Sequence, residues 1–462
     1  MNIQAKVFRL IVVLMAAFVG INAAIRYVGP ILIVSQATDT NAEDAPYPEP
    51  QSINLQTEET QSETEGWPQL FGPRQNSISD ESNIVTKWDA KGPKEAWRVP
   101  IGTGYSSPVV HRGQVIVLYR VEDEEIVSSF DLESGKSNWD FKYPTKYECQ
   151  WPPHSSGPYS TPICSGNHVF VQGAEGTLRC LNFDDGTEVW GRNLSQEFDV
   201  PEQVFAVGHT PVLDGDLLIV NVGGKKAETG IMALTKSDGK TFWSSTNHKA
   251  SYSTPSVSTI HKKRFVFVLT GNGLVSLDRD TGNVYWEIEF HSKSDDAPAA
   301  VTPLVYGDIV LATVYQAGTI CLRILPDGQY DELWRSRRSF ESQFNPVVCI
   351  DGYVYGWHFF DQSLRCVELT SGKPQWKHKS ILGRGTQIAV DGRLILFGED
   401  GHLGSVDINP QELVEVCLTG EAVLKRPCYS APALSDGRLI VRNEIELLCL
   451  DLRKATSSET TK

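Results

Sequence analysis

Downstream of Trp67, short apolar runs alternate with polar residues at a period of two and are separated by clusters of Gly, Asp and Ser. This is the pattern of half-buried β-strands joined by tight turns. The runs return in one fixed order. "YSSPVVHRGQVIVLYRVEDEEIVSSFDLESGKSNW" (Tyr105–Trp139), "YSTPICSGNHVFVQGAEGTLRCLNFDDGTEVW" (Tyr159–Trp190) and "YSTPSVSTIHKKRFVFVLTGNGLVSLDRDTGNVYW" (Tyr252–Trp286) each open on Ser/Thr-x-Pro. A turn, a β run, a second turn, another β run and an Asp/Ser-Gly turn follow, and each unit closes on Trp. Looser copies begin at Pro211, Pro303, Pro346 and Gln387, and an eighth begins at Pro432. The closing aromatics are Trp139, Trp190, Trp243, Trp286, Trp334 and Trp376, spaced by 51, 53, 43, 48 and 42 residues, with Val416 standing at that place in the seventh unit. Four strands and their turns fill such a period, which is that of a propeller blade.

The eighth unit, "YSAPALSDGRLIVRNEIELLCLDLRK", holds three strands' worth of residues. The fourth is supplied from the other end: "KEAWRVPI" (Lys94–Ile101) carries Trp97, 42 residues ahead of Trp139. Pairing it with the C-terminal hairpin closes the ring and leaves no free sheet edge at the seam. The expected fold is therefore all-β: an eight-bladed β-propeller of four-stranded antiparallel blades over residues 67–455, with a disordered tail at 456–462.

The segments "SFDLESGKSNW", "SLDRDTGNVYW" and "CVELTSGKPQW" resemble the A-x-D-x-x-T-G-x-x-x-W repeat of the PQQ-like, quinoprotein-type propellers. That family includes the propeller scaffold of the outer-membrane protein assembly machinery and, more distantly, the quinoprotein alcohol dehydrogenases. The resemblance implies the fold over nearly the whole repeat region and leaves function open. The dehydrogenases place a vicinal disulfide over the quinone; here no two Cys are adjacent, and no haem-attachment motif is present.

Ahead of the repeats, Lys6 and Arg9 precede the apolar run Leu10–Ile25, and a second run, "YVGPILIV", follows Arg26. Residues 1–37 read as a signal or membrane anchor, with the membrane contact in residues 10–34 and the bulk of the chain outside the cytoplasm. From Ser35 to Pro73 there is no Lys or Arg, and residues 38–66 read as an acidic disordered spacer. The net charge of −15 without a basic cluster excludes nucleic acid as a partner. Four of the nine Cys, at 180, 321, 366 and 449, share one place in the third strand of their blades and read as small buried hydrophobes. The other five could pair in an oxidising compartment, with no partners assignable from spacing.

The Tyr of the recurrent tetrapeptide occupies one register in Tyr105, Tyr159, Tyr252 and Tyr429, where other units carry Gly208, Ala300, Gln343 and a residue near Thr386. The tetrapeptide should open the innermost strand, with Pro tolerated at its start and the hydroxyl bonding locally. These four tyrosines would then form an uneven aromatic rim at the channel mouth, with His209 beside it. Trp151 and His154, in the inserted loop Cys149–Ser160, complete the candidate ligand-binding set. Trp97, Trp139, Trp190, Trp243, Trp286, Trp334 and Trp376 are structural. The sequence contains no nucleophile elbow, P-loop or dinucleotide fingerprint, and no catalytic or metal-ligating residue is assigned. The expectation is a non-catalytic extracytoplasmic scaffold or ligand-binding propeller, without a cofactor, working with other extracytoplasmic or membrane proteins. The alternative is a quinoprotein oxidoreductase holding PQQ and calcium in the central funnel.

Overall fold

A computed structural model describes residues 46–55, 66–151, 154–202, 205–293, 299–379, 382–414 and 416–454. The leader at 1–37, most of the spacer and the tail at 456–462 lie outside the described residues. Among the described residues no helix is long and apolar enough to cross a membrane.

Seven four-stranded antiparallel sheets and one of five strands follow one another around a ring. In each blade the inner strand descends from the rim segment, Ser/Thr-x-Pro in most blades, to a tight turn that usually holds Asp or Gly, the second strand returns, the third descends again, and the outer strand leads up to the next blade. One face of the ring therefore carries the tetrapeptides, and the opposite face carries the Asp/Gly turns. Blade 8 is completed as the repeat arithmetic requires: Lys94–Pro100 pairs with Glu446–Asp451, which is followed inward by Arg438–Arg442 and Ala433–Ser435.

The repeat motif is explained by contacts between blades. Every repeat Trp donates its indole N–H to a carbonyl in the turn of the next blade: Trp97 to Leu132 (2.8 Å), Trp139 to Phe183 (2.9 Å), Trp190 to Lys236 (3.0 Å), Trp243 to Arg279 (2.9 Å), Trp286 to Gly328 (3.1 Å), Trp334 to Leu369 (2.7 Å) and Trp376 to Asn409 (2.9 Å). The turn glycine lies flat beneath the ring. A Cβ on Gly135 would come within 2.6 Å of Trp97, and one on Gly282 within 2.7 Å of Trp243.

Across its own sheet each Trp faces a small side chain, Ser129, Cys180, Ala233, Ser276, Cys321, Cys366 or Cys449, next to a bulge that shifts the register. The four repeat cysteines are buried there, all at 0% exposure. Among the described residues none of the nine cysteines is joined in a disulfide. Blade 7 departs from the pattern: its outer strand is only Cys417–Leu418, and Val416, read above as the Trp equivalent, is 48% exposed. Apolar side chains fill the spaces between blades, as where Val109, Leu118 and Trp139 of blade 1 meet Val169, Leu181 and Phe183 of blade 2.

Two segments lie outside the repeat. Gly66–Trp67 adds a fifth strand along the inner strand of blade 1, pairing with His111 and Val110. The chain then runs from the carbonyl of Pro68, which accepts from the Cys164 amide of blade 2 at 2.8 Å, to Ser77 and Ser79, which bond Ala389 of blade 7 at 2.8 and 2.9 Å. It thus crosses the channel end on the turn face, with Trp67 and Ser77 buried. Tyr47–Leu55, part of the stretch read above as spacer, lies against blades 5 and 6. There the Gln51 amide donates to Thr370 Oγ1 (3.0 Å), the Asn54 amide to Asp308 Oδ1 (3.1 Å), and Ile53 packs on their shared core.

Candidate functional site

The tetrapeptide builds the channel mouth chiefly by hydrogen bonding from blade to blade. In five consecutive blades the residue before Pro lies one step along a ladder. The Ala431 amide donates to Ser107 Oγ (2.8 Å), the Ser107 amide to Thr161 Oγ1 (3.1 Å), the Thr161 amide to Thr210 Oγ1 (2.9 Å) and the Thr210 amide to Thr254 Oγ1 (3.2 Å). The hydroxyls before Pro thus accept from the neighbouring blade, whereas a local bond of the kind expected is made by Ser253 Oγ, to the Thr254 carbonyl at 3.3 Å. Pro after each step has no amide to leave unpaired. The preceding residue adds bonds of its own: Ser430 Oγ donates to the Tyr105 carbonyl (3.0 Å), and Ser253 Oγ to that of Val301 (2.9 Å). Where blade 8 meets blade 1, the guanidinium of fully buried Arg442 donates to the carbonyls of Ser106 (3.3 Å), Leu118 (3.0 Å) and Gly102 (2.9 Å). Burial pushes its pKa down to about 10, so it remains a cation at neutral pH.

On this frame stands a band of aromatic rings. Tyr105 lies 4.8 Å from Tyr159 and 5.1 Å from Tyr429; Tyr159 continues to Phe205 (6.4 Å), and Phe205 to Tyr252 (5.8 Å) and His154 (5.3 Å). In the other direction Tyr429 meets Phe344 at 5.4 Å, the Arg384 guanidinium bridges Phe344 (5.1 Å) and Phe359 (4.8 Å), and Phe359 meets Tyr315 at 4.4 Å. The geometry corrects the register for two blades. Counted back from the Asp/Gly turns, the rim position of blade 6 is Phe344, not Gln343, and that of blade 7, read above as a residue near Thr386, is Arg384. Gly208 of blade 3 leaves room for its neighbours: a Cβ there would stand 2.9 Å from the Tyr252 ring and 3.4 Å from that of Tyr159. Blade 5 contributes only Ala300 at this register.

Three of the four tyrosine hydroxyls are occupied by the loops between blades. Tyr105 Oη accepts from the Ser155 amide (3.1 Å), Tyr159 Oη donates to the Ser155 carbonyl (2.9 Å), and Tyr252 Oη accepts from the Phe205 amide (3.1 Å). Arg120, buried in blade 1, fixes the same loop through the Ser156 carbonyl (3.0 Å) and Glu148 (2.8 Å). What the rim offers outward is therefore ring faces and edges. Desolvation above all pushes the phenols of Tyr105 and Tyr159 far above their ordinary range, and that of Tyr252 to about 12. Trp151 is 44% exposed on the loop, and Phe360, beside Phe359, is 47% exposed. His209 lies beneath the rim. It is 2% exposed, lines a cavity of about 10 Å³ with Gln172, and is held neutral by burial with a pKa of about 4.

Of the residues singled out from the sequence, the structure brings Tyr105, Tyr159, Tyr252, Tyr429 and His154 into one band, with Phe205 bridging the place of Gly208. It places Trp151 on the surface and His209 inside. Phe205, Phe344, Phe359, Tyr315 and Arg384 escaped sequence reasoning. Phe344 and Arg384 were within reach, had each blade been aligned on its Asp-Gly turn, Asp351-Gly352 and Asp391-Gly392. Among the described residues no group of three or more His, Cys, Asp or Glu side chains stands close enough to hold a metal ion.

Known proteins share this architecture. Residues 122–378 match the family model described as outer membrane protein assembly factor BamB. The BamB protein of Yersinia pestis is 24% identical over 76% of this chain and 86% of its own, and that of Salmonella typhimurium 27% identical over 61% and 70%. Among solved structures, Moraxella catarrhalis BamB superposes with a TM-score of 0.56 at 15% identity, over 79% of this chain and 99% of its own. The quinohemoprotein alcohol dehydrogenase of Comamonas testosteroni gives 0.53 at 15% identity, over 86% and 82%. The matched stretch takes in more than half of the chain, from the third strand of blade 1 to the outer strand of blade 6, and the chain belongs to the outer membrane protein assembly factor BamB family.

Proposed function

We propose that this propeller is a non-catalytic scaffold for the assembly of outer-membrane proteins, working outside the cytoplasm and holding a protein partner on its rim face. The observation that carries the reading is the aromatic band, mounted on the inter-blade ladder, with exposed Phe360 beside Phe359 and exposed Trp151 on the loop that bonds the Tyr105 and Tyr159 hydroxyls. Large, flat, preorganised side chains lose little freedom when a partner covers them, which is how interface anchors are built. The names of the family's members support the assembly role. In this reading the partner is another extracytoplasmic or membrane protein, and tethering through residues 10–34 keeps the scaffold at the membrane.

The alternative, an oxidoreductase with PQQ and calcium in the funnel, needs a set of acidic and amide ligands for the ion. Among the described residues no group of three or more His, Cys, Asp or Glu side chains could hold a metal ion, and the chain's own Gly66–Ser79 crosses the far end of the channel. Neither observation favours that chemistry.

A photo-crosslinking residue placed at Trp151 or Phe360 tests the scaffold reading. Crosslinks to an outer-membrane protein, or to a component that assembles one, should form from both positions and not from Val189, which is exposed on the outer strand of blade 2. Equal crosslinking from Val189, or none from the rim, would overturn it.

A further inference from the structure

Blade 6 closes on the outer strand Pro374–Lys379, which carries Lys377 and Lys379, both exposed, and no acidic residue. Lys373, also exposed, immediately precedes it. Among the described residues none of these three ammonium groups has a hydrogen-bond or ion-pair partner. Three acids on neighbouring elements are held by arginines instead: Glu332 by Arg335 at 3.0 Å, Glu341 by Arg337 at 3.3 Å and Asp361 by Arg365 at 2.7 Å. Lysine on an edge strand also discourages pairing with another sheet, but that need is common to every blade. The other outer strands differ. Val284–Glu289 of blade 4 and Tyr330–Ser336 of blade 5 carry more acids than bases, Ser137–Pro144 and Glu188–Asn193 hold one of each, and those of blades 3 and 7 are uncharged. In Lys94–Pro100 of blade 8, Arg98 is paired with Glu95 at 2.8 Å and Glu446 at 3.1 Å. Tyr47 lies against the blade 6 wall, in an open groove lined by Arg365, Trp376 and Lys377 among others. Between Tyr47 and Val34, the end of the second apolar run, stand only residues 35–46.

We propose that the outer wall of blade 6 docks on a lipid surface carrying anionic headgroups, an inference that rests on the tethering through residues 10–34 proposed above. Chain length and charge select this occupant. Residues 35–46 reach roughly 40 Å at full stretch, so the tether holds the wall beside Tyr47 close to the bilayer. The chain as a whole, at −15, is repelled by an anionic surface, and only a face with unopposed cations can settle on one. Docked on this wall, the propeller keeps its rim face uncovered for a protein partner.

The test mixes the full-length chain, bearing a fluorescent non-natural side chain at Gln375 or at Val189, with vesicles of phosphatidylcholine alone or with added phosphatidylglycerol. Flotation is read together with energy transfer to an acceptor-labelled lipid. Gln375 is exposed on the outer strand of blade 6, and Val189 on that of blade 2, four blades away. On phosphatidylglycerol vesicles, transfer from Gln375 should exceed that from Val189. The excess should be lost in about 1 M salt, where the Debye length falls to about 3 Å. It should also be lost in the chain carrying Lys373→Glu, Lys377→Glu and Lys379→Glu, with its melting curve unchanged. Equal transfer from the two positions in a chain that floats, or an excess that survives the three substitutions, would overturn the docking and leave the tethering standing. Flotation on neither kind of vesicle would overturn both. Flotation on phosphatidylglycerol vesicles alone, with the excess at Gln375, would support the docking and remove the tether.

Discussion

Gly113 and Gly135 share one blade and one backbone conformation, with φ of 72° and 69°, yet their surroundings differ. A Cβ on Gly113 meets nothing within 4 Å, whereas one on Gly135 would enter the Trp97 ring. Gly113→Ala should therefore cost only left-handed strain, about 1 kcal/mol. Gly135→Ala should cost roughly 3 kcal/mol, because the ring must also give way; urea unfolding of the two variants reads the difference. The Thr-Gly and Trp positions of the repeat were legible in the sequence because each contact recurs in blade after blade. His209 was not, since a lone His beside a repeat carries no mark of its burial. Its folded pKa of about 4 lies below the ordinary 6.5. Between those values the unfolded chain binds a proton that the folded chain refuses, so stability falls as pH drops from about 6.5 to 4. His209→Gln removes this term. Its stability relative to the wild type should improve by roughly 2–3 kcal/mol between pH 7 and pH 4.5, and a constant gap would refute the assignment.

Single strands and connecting rungs carry the next level of the argument. Thr161 Oγ1 accepts the Ser107 amide inside the wall, so Thr161→Val should leave that donor unpaired and lower stability by about 1–3 kcal/mol. Thr302, at the same place in blade 5, receives no such bond among those described, which makes Thr302→Val the milder control. The seam was foreseen from counting alone: the eighth unit lacked a strand and Lys94–Ile101 supplied one. Trp97→Ala should accordingly destabilise by about 3–5 kcal/mol, as read by chemical unfolding, because it removes both the fill and the bond to Leu132. Gly66–Ser79 escaped notice for the converse reason. Its partners lie in blades 1, 2 and 7, far off in sequence, and it belongs to no repeat from which its pairing could be inferred. Tyr47–Leu55 escaped for a similar reason, since an acidic, Pro-rich composition does not disclose bonds to Asp308 and Thr370.

At the scale of the whole molecule, the repeat makes every blade alike and the rim makes them differ. Eight phenyl and phenol rings and Arg384 form the band from Tyr252 of blade 4 round to Tyr315 of blade 5, and Ala300 interrupts it. The tyrosines of that asymmetry were readable from "YSSP" and its copies. The phenylalanines were not, because Phe205 and Phe359 stand in connections whose lengths vary between blades. A partner that reads the rim would dock in one orientation, which a ring of eight equal blades could not enforce. The most direct measurement is complementation in the source cell. Deleting the gene should lower the content of folded outer-membrane proteins, and the wild-type chain should restore it. The doubly substituted Trp151→Glu, Phe360→Glu chain, with its melting curve intact, should not. Full restoration by that chain, or a deletion that leaves outer-membrane proteins unchanged, would contradict the scaffold role assigned to the rim.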